Sequence, residues 1–368
     1  MSKNSFRKNV CTLSYPIFVF IFLSIGTKVA GQKIDSTKAS YEATFHHLNE
    51  MLSGIQPISF KTAVLTVEKT FQPELDTIYV NDLIKGISAR CLDFTKLYSL
   101  QYDYKDKPDV EKWAAIFKVM TDTVITQNGN SLEASIPFQY DFDDFFGEKD
   151  WTRMFVSKLL ETGSGNCHSL PYLYKILAAE MGTTAQLALA PNHIYIKHRS
   201  AKTGMFNTEL TSASFPIDAW IMASGYIHLT AIQNGVYMKA LNDKESIALC
   251  LIDLAEGYKR KTSNSDPDFI IKCSDKALEY FPNYVNALIL KAETIKSQHD
   301  RLSVEYPNPT NEISLKIQIL FNQMQDLYVK VHKLGYRQMP KEMYMKWLFE
   351  LKTEKEKYQN KNVSSYDK

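Results

Sequence analysis

Long apolar runs, a strong net charge and closely spaced cysteines are all absent from this chain. No run reaches the length of about 18 apolar residues that a bilayer-spanning helix needs, so we expect no stable membrane span in the mature protein. The 43 basic and 41 acidic residues nearly balance, and they form no long basic stripe. Nucleic acid is therefore not indicated as a partner.

Cysteine is scarce, with five residues in 368. No cysteine or histidine pair has the CxxC or HxxxH spacing of common zinc sites, so we expect neither a metal nor a cofactor. Cys167, His168 and His193 would be the alternative zinc ligands. The wide, irregular spacing is not typical of a disulfide framework. Cys250 and Cys273 could pair across a helical hairpin, but two buried free thiols fit the pattern better.

The N-terminal segment has the layout of a secretory signal peptide. Three basic side chains and no acid lie in the first eight residues, the apolar run Tyr15 to Ile25 follows, and small residues occupy positions 29 to 31. The sequence predicts cleavage of residues 1–31, a mature chain that begins near Gln32, and export to the periplasm or the extracellular space. A retained membrane anchor is the alternative, but the apolar run is short for one.

Residues 32–150 are predicted to form a helical N-terminal lobe. The chain has 45% hydrophobic and 12% aromatic residues, enough to fill sizeable cores. From Ser40 to Met120, apolar residues recur at the spacing of amphipathic helices. The polar, glycine-containing stretch Thr126 to Ser131 ends this regularity and is interpreted as a break.

Residues 151–236 are predicted to form an α+β core. Two helices, from Trp151 to Leu160 and from about Ser169 to Met181, flank a Gly-Ser-Gly break, and Gly182 suits a left-handed cap. Three strand-like runs follow: Thr184 to Leu189, His193 to Lys197 and Met205 to Leu210. Helices followed by short antiparallel strands are typical of a compact α+β domain.

Residues 237–302 are again helical in pattern and resemble tetratricopeptide repeats. In KALEYFPNYVNALILKA, Lys276 to Ala292, small and apolar residues lie where two antiparallel helices approach closely, with Pro282 at their turn. About three repeats are needed for a continuous core and only about one and a half are visible, so this region should pack on the core. Residues 311–368 add closing helices. We predict that these regions stabilise the core or recruit a protein partner and do not catalyse.

The stretch GSGNCHSLPYLYKILAAEMG, Gly163 to Gly182, carries the strongest chemical signal. Proline is best tolerated in the first turn of a helix, so Pro171 places Cys167 at or just before a helix N-terminus. Free N–H groups and the helix dipole favour negative charge there, which lowers a thiol pKa and favours the nucleophilic thiolate. The glycines before Cys167 are expected to let a substrate backbone come close.

A thiolate that attacks a carbonyl also needs a base and a group that orients this base. His193, at a strand start, is the predicted base. Asn207 and Glu209 lie two residues apart on the next strand, so either could orient the imidazole, and Glu209 is preferred because a carboxylate also stabilises the imidazolium. His168 points elsewhere on the helix and could line the cleft. The predicted substrate-binding residues are Asn166, His168, Tyr195 and Asn207.

These segments together resemble the transglutaminase-like superfamily, and most closely its bacterial SirB-like branch. The similarity lies in FVSKLLETGSGNCHSLPYLYKILAAEMG, APNHIYIKH and NTEL, within roughly residues 58–212. It implies a papain-like fold with a Cys-bearing helix on a small antiparallel sheet, a triad of Cys167, His193 and Glu209, and helical repeats after the core. It also implies thiol-dependent hydrolysis or acyl transfer on a protein or peptide amide. Because many SirB-like relatives lack the cysteine, a non-catalytic binding module in the cell envelope is the alternative.

Overall fold

The computed structural model describes residues 21–128, 131–262 and 265–363, in which helices predominate over small sheets. This mixed content confirms the α+β class. The predicted signal peptide lies mainly outside the described residues, since its first 20 positions are not among them, so its cleavage and the export of the chain stay predictions. Within the described ranges, no helix is both long and apolar enough to cross a membrane.

Helices make up the first part of the described chain. They are α1 (Ile21–Ser53), α2 (Phe60–Phe71), α3 (Thr77–Leu97) and α4 (Lys107–Thr121). Side chains cap two of them: Ser59 accepts a hydrogen bond from the Thr62 N–H at 3.2 Å, and Asp76 accepts from the N–H of Ile78 at 3.0 Å. Such caps satisfy N–H groups that a helix start leaves free. The predicted helical pattern from Ser40 to Met120 is confirmed.

A β-hairpin follows α4 where the sequence predicted only a break. Strand β1 (Val124–Asn128) pairs antiparallel with β2 (Ser131–Ser135), so that Val124 lies opposite Ser135. The helical regularity ends before this stretch, as predicted, but residues at both ends of Thr126 to Ser131 belong to strands.

The predicted single helix from Trp151 to Leu160 is wrong, because two elements share this stretch. They are a 3-10 helix (Trp151–Met154) and α5 (Val156–Thr162). The buried carboxylate of Glu68, on α2, accepts hydrogen bonds from the first two N–H groups of α5 at 2.6 and 3.0 Å. These N–H groups are thereby unavailable to the preceding turn, so a new helix begins there.

The centre of the fold is a helix packed on a small sheet, as predicted. Its elements are α6 (Ser169–Glu180) and the antiparallel strands β5 (Gln186–Ala190), β6 (His193–Ser200) and β7 (Gly204–Thr208), in that order. Gly182 ends α6 with φ +66°, the left-handed conformation expected of it. Ahead of α6, β3 (Gln139–Tyr140) pairs in parallel with β4 (Ser164–Gly165), which sets Tyr140 beside Gly165.

Helices again dominate after the sheet. They are α7 (Asp218–Met222), α8 (Leu229–Gln233), α9 (Asp243–Lys261), α10 (Pro267–Tyr280), α11 (Val285–Glu305), α12 (Asn311–Lys333), α13 (Lys341–Thr353) and α14 (Lys355–Tyr358). Pro282 lies in the turn between α10 and α11, as the sequence predicted. Helix α9 packs against α2, so this region rests on the N-terminal helices.

Helix α13 returns from the C-terminal region to the Cys-bearing core. The Trp347 ring stacks on Trp220 with the ring centroids 4.2 Å apart, and its indole N–H donates to the Trp220 carbonyl at 3.1 Å. Tyr344 of the same helix is fully buried and shares a hydrophobic cluster with Cys167. The predicted closing helices therefore form part of the wall around the predicted nucleophile.

Candidate active site

Cys167 lies two residues before α6, where the sequence placed it. Asn166 shapes this start: its side-chain oxygen accepts hydrogen bonds from the N–H groups of His168 at 3.0 Å and Ser169 at 3.1 Å. Its amide N–H₂ contacts the Met154 sulfur at 3.0 Å. Asn166 is completely buried and does not line the cavity beside Cys167. The structure thus gives Asn166 a capping role instead of the predicted substrate contact.

The glycines before Cys167 serve the packing of the helices. Gly163 ends α5 with φ +69°, in the region that favours glycine. A Cβ at Gly165 would lie 2.5 Å from the Ser169 hydroxyl and 2.8 Å from a Leu159 methyl group. Close approach to a substrate, the reason that the sequence suggested, is not needed to explain either glycine.

Gly165→Ala is expected to lower the free energy of unfolding by about 1–3 kcal/mol, because the added methyl overpacks the junction of α5 and α6. Denaturant unfolding followed by circular dichroism measures this. Gly86→Ala is the matched control, since Gly86 lies inside α3 with no atom within 4 Å of its added Cβ. Alanine is the better helix former, so the control should be neutral or slightly stabilised. Equal effects of the two substitutions would contradict the packing argument.

His193 and Glu209 form a buried pair. The Nε2 atom of His193, at the start of β6, lies 2.6 Å from Oε2 of Glu209. The other Glu209 oxygen accepts a hydrogen bond from the Thr211 N–H at 2.8 Å, which fixes the carboxylate. Asn207 instead uses its side-chain amide to donate a hydrogen bond to the Pro216 carbonyl at 2.9 Å. The structure therefore brings Glu209, and not Asn207, to the imidazole.

The Cys167 thiol meets the other side of the imidazole. The thiol lies 3.6 Å from the Asn192 carbonyl, and His193 and Tyr344 lie close enough to the sulfur for hydrogen bonding with them to influence its pKa. Burial alone would raise the thiol pKa, but these hydrogen bonds and the positive charge of His193 outweigh it and lower the pKa. Burial likewise opposes the charge of His193, yet Glu209 and Cys167 raise the His193 pKa to about 10. Around neutral pH, the pair therefore favours a thiolate and an imidazolium.

Two tyrosines that the sequence analysis did not single out complete the surroundings of the thiol. The Tyr344 hydroxyl lies 3.1 Å from Nδ1 of His193 and 3.2 Å from the Tyr140 hydroxyl. Burial and the nearby Cys167 raise the pKa of Tyr140. Tyr344 lies 151 residues after His193, so no local pattern connects them. The pairing of β3 with β4 brings Tyr140 into place, and neither short strand has a sequence signal.

A cavity of about 290 Å³ reaches the thiol. Cys167, His168 and His193 line it, as predicted for His168. Five aromatic side chains form much of the remaining wall: Phe145, Phe146, Tyr237, Tyr284 and Tyr336. Tyr195, a predicted substrate-binding residue, is not among the lining residues. It is buried, with its ring stacked beside His193 at 6.4 Å between centroids.

The other described cysteines differ from Cys167. Cys91, Cys250 and Cys273 are free and buried, with Cys250 on α9 and Cys273 on α10. Burial raises the pKa of all three thiols, that of Cys91 to about 12. Within the three described segments, no group of three or more His, Cys, Asp or Glu side chains is arranged to hold a metal ion. Among the described thiols, the lowered pKa therefore belongs to Cys167.

Comparisons with models of protein families, with curated proteins and with solved structures found no match to this chain.

Proposed function

We propose that this chain is an exported, transglutaminase-like thiol enzyme that hydrolyses or transfers an acyl group from a protein or peptide amide. The observation that carries this proposal is the buried line of three groups: Cys167 against His193, and His193 against Glu209 at 2.6 Å. Nucleophile, proton carrier and orienting acid are in contact, and a cavity reaches the nucleophile.

The arrangement of elements supports the same family. A cysteine just before α6, a histidine at the start of β6 and an acid just after β7 follow the order that the transglutaminase-like resemblance implies. Helix α6 packs against the sheet that carries the other two groups. Membership of the SirB-like branch, the repeat character of α9 to α11 and export remain parts of the proposal.

The reaction proceeds through a thioester. The Cys167 thiolate attacks the carbonyl carbon of the amide, and the carbonyl electrons move to its oxygen. As the C–N bond breaks, the amine takes the proton from Nδ1 of His193 and leaves. Water or a second amine then gives a proton back to Nδ1 while it attacks the thioester, and Cys167 leaves as the thiolate. Glu209 holds Nε2 throughout and stabilises each imidazolium stage.

The hydroxyls of Tyr344 and Tyr140 are the groups that stabilise developing negative charge in this proposal, so a closing helix takes part in the chemistry, contrary to the role that the sequence predicted for it. The two hydroxyls lie 3.2 Å apart, and the Cys167 sulfur, which becomes bonded to the tetrahedral carbon, lies close enough to raise the pKa of both tyrosines. Donors fixed before reaction in a buried site stabilise an oxyanion without reorganising. Tyr344 is completely buried, which keeps water from its hydroxyl.

The cavity indicates a small apolar recognition element. Its volume of about 290 Å³ lies at the lower end for ligand pockets, and aromatic rings form much of its wall. Such a space fits one or two apolar side chains of a peptide better than a large cofactor. The rest of a protein substrate would then lie on the surface outside the cavity.

Alkylation by iodoacetamide between pH 5 and 9, with each cysteine mapped by mass spectrometry, tests the proposal. Cys167 is expected to react already near pH 6, because its pKa is lowered and it lines the cavity. Cys91, Cys250 and Cys273 are internal controls that should react only after unfolding, since they are buried with raised pKa values. A Cys167 that reacts only near the free thiol pKa of about 8.5 would contradict the proposal.

A non-catalytic binding module is the second candidate, and two observations favour it. Cys167 is only 5% exposed, which restricts a bulky substrate. Helix α12 presents apolar side chains to solvent, among them Leu315, Ile319 and Phe321. A protein partner bound at α12 would explain these exposed apolar residues. The alkylation profile separates the candidates, because binding alone requires no activated thiol.

A further inference from the structure

His168, the neighbour of Cys167, is held by acceptors at both ring nitrogens. Nδ1 lies 2.9 Å from the backbone carbonyl of Met154, and Nε2 lies 3.1 Å from Oδ1 of Asp253. A carbonyl and an ionised carboxylate can only accept hydrogen bonds, whereas a neutral imidazole has one nitrogen without a proton. Both contacts are hydrogen bonds only when His168 is protonated. The geometry therefore points to an imidazolium.

The Asp253 carboxylate is itself fixed. Its Oδ2 atom accepts a hydrogen bond from the Tyr172 hydroxyl at 3.0 Å, and the Tyr172 ring packs on His168 with 4.0 Å between centroids. His168 and Asp253 are largely shielded, with side-chain exposures of 12% and 20%. A charge pair with little access to water acts more strongly on its neighbours than an exposed pair does.

We propose that Asp253 is a positioning residue that keeps His168 protonated beside Cys167 and thereby favours the thiolate. This inference rests on the proposed thiol chemistry and extends it to α9, a helix of the region that the sequence assigned to packing or recruitment. His168 is the chain neighbour of Cys167 and lines the same cavity, so its positive charge lies close to the sulfur. Two histidine and carboxylate pairs would then act on one sulfur.

Several other ionisable groups surround Cys167, His168 and Asp253, and none of them should be substituted in the Asp253 and His168 variants that test the inference. Around Cys167 they are His193, Tyr140 and Tyr344, and around His168 and Asp253 they are Glu68, Tyr172, Cys250 and Tyr284. Burial lowers the His168 pKa, but Asp253 and the Met154 carbonyl outweigh this and raise it. The positive His168 in turn contributes to the lowered Cys167 pKa.

Asp253→Asn in the full chain removes the charge and keeps the size and one acceptor oxygen. We expect the rate of Cys167 alkylation near pH 6 to fall about three- to tenfold, with the whole profile moved to higher pH and the plateau at high pH unchanged. Asp253→Glu should restore part of the rate. Tyr172→Phe is the matched control: it removes the hydroxyl contact but keeps the charge pair, so its profile should stay close to that of the unchanged protein.

A double-mutant cycle with His168→Gln tests whether Asp253 acts through His168. In the His168→Gln background, Asp253→Asn should cause no further shift of the profile. A shift that persists there, or an unchanged profile in Asp253→Asn alone, would overturn the inference. These two outcomes can be judged only if Cys167 of the unchanged protein reacts near pH 6. If it does not, the proposed function itself has failed, and the role of Asp253 is not the cause. Circular dichroism of each variant checks that it is folded. Loss of folding would lower the alkylation plateau and expose Cys250 to alkylation, whereas the predicted effect is only a shift of the pH profile of Cys167.

Discussion

Cys167→Ala is expected to abolish turnover of a susceptible amide, and His193→Ala to reduce it by at least about 10³-fold. In the proposed mechanism the thiol supplies the electrons that form the thioester, so no neighbouring group can replace it. His193 would supply the proton to the leaving amine, and it also lowers the Cys167 pKa. Single-turnover release of amine from a peptide library, followed by mass spectrometry, measures the loss.

The controls for this prediction come from the same chain. Cys273→Ala removes a buried thiol of α10 and should leave turnover unchanged. Glu209→Gln should have a milder effect than His193→Ala, because an amide oxygen can still accept a hydrogen bond from Nε2. His193→Ala should also move the Cys167 alkylation profile to higher pH. Turnover that persists in Cys167→Ala, or an alkylation profile that is independent of His193, would favour the binding module.

Tyr344→Phe is expected to lower kcat about 10²- to 10³-fold, the effect of removing one donor from an oxyanion site. The Tyr344 hydroxyl contacts Nδ1 of His193 at 3.1 Å and also contacts the thiol, whereas its ring packs against Phe145 and Phe146. Phenylalanine keeps this packing, so the protein should fold normally. The thiol pKa should rise, because one hydrogen bond to the thiolate is lost.

Steady-state kinetics should show the change in kcat with little change in KM, since a donor that acts in the transition state contributes little to ground-state binding. Tyr79→Phe is the matched control: Tyr79 is an exposed tyrosine of α3 and its hydroxyl has no part in the site. An increase in turnover after Tyr344→Phe would contradict the assigned role and would identify the hydroxyl as a blocking contact.

The parts of the fold that were predicted from the sequence depend on local signals. Pro171 and Gly182 bound α6, and short strand-like runs mark β5, β6 and β7, so the helix, the sheet and the position of Cys167 followed from neighbouring residues. The preference for Glu209 also agrees with the geometry. The carboxylate lies 16 residues after His193, within one strand connection.

The parts that were not predicted depend on contacts between distant residues. Glu68 lies 88 residues before Val156 in the sequence, and its contact with the start of α5 divides the stretch Trp151 to Leu160 into two elements. Asp253 reaches His168 across 85 residues, and its helix pattern gives no sign of this contact. Asn166 illustrates the reverse error, since its position beside the nucleophile suggested a substrate contact although its amide caps α6. Residues next to a nucleophile in the sequence indicate where a site lies, but the sequence does not reveal which of their atoms point into the site.

The contribution of α13 has a consequence for the order in which the site is assembled during synthesis. Tyr344 lies 151 residues after His193, so at typical translation rates the ribosome adds it roughly 8 to 30 s later. During this interval the nascent chain contains Cys167 and His193 without the hydroxyl that contacts both. The contribution of Tyr344 to the lowered Cys167 pKa therefore exists only after α13 has been synthesised, and we expect a chain released before α13 to carry a Cys167 thiol of higher pKa.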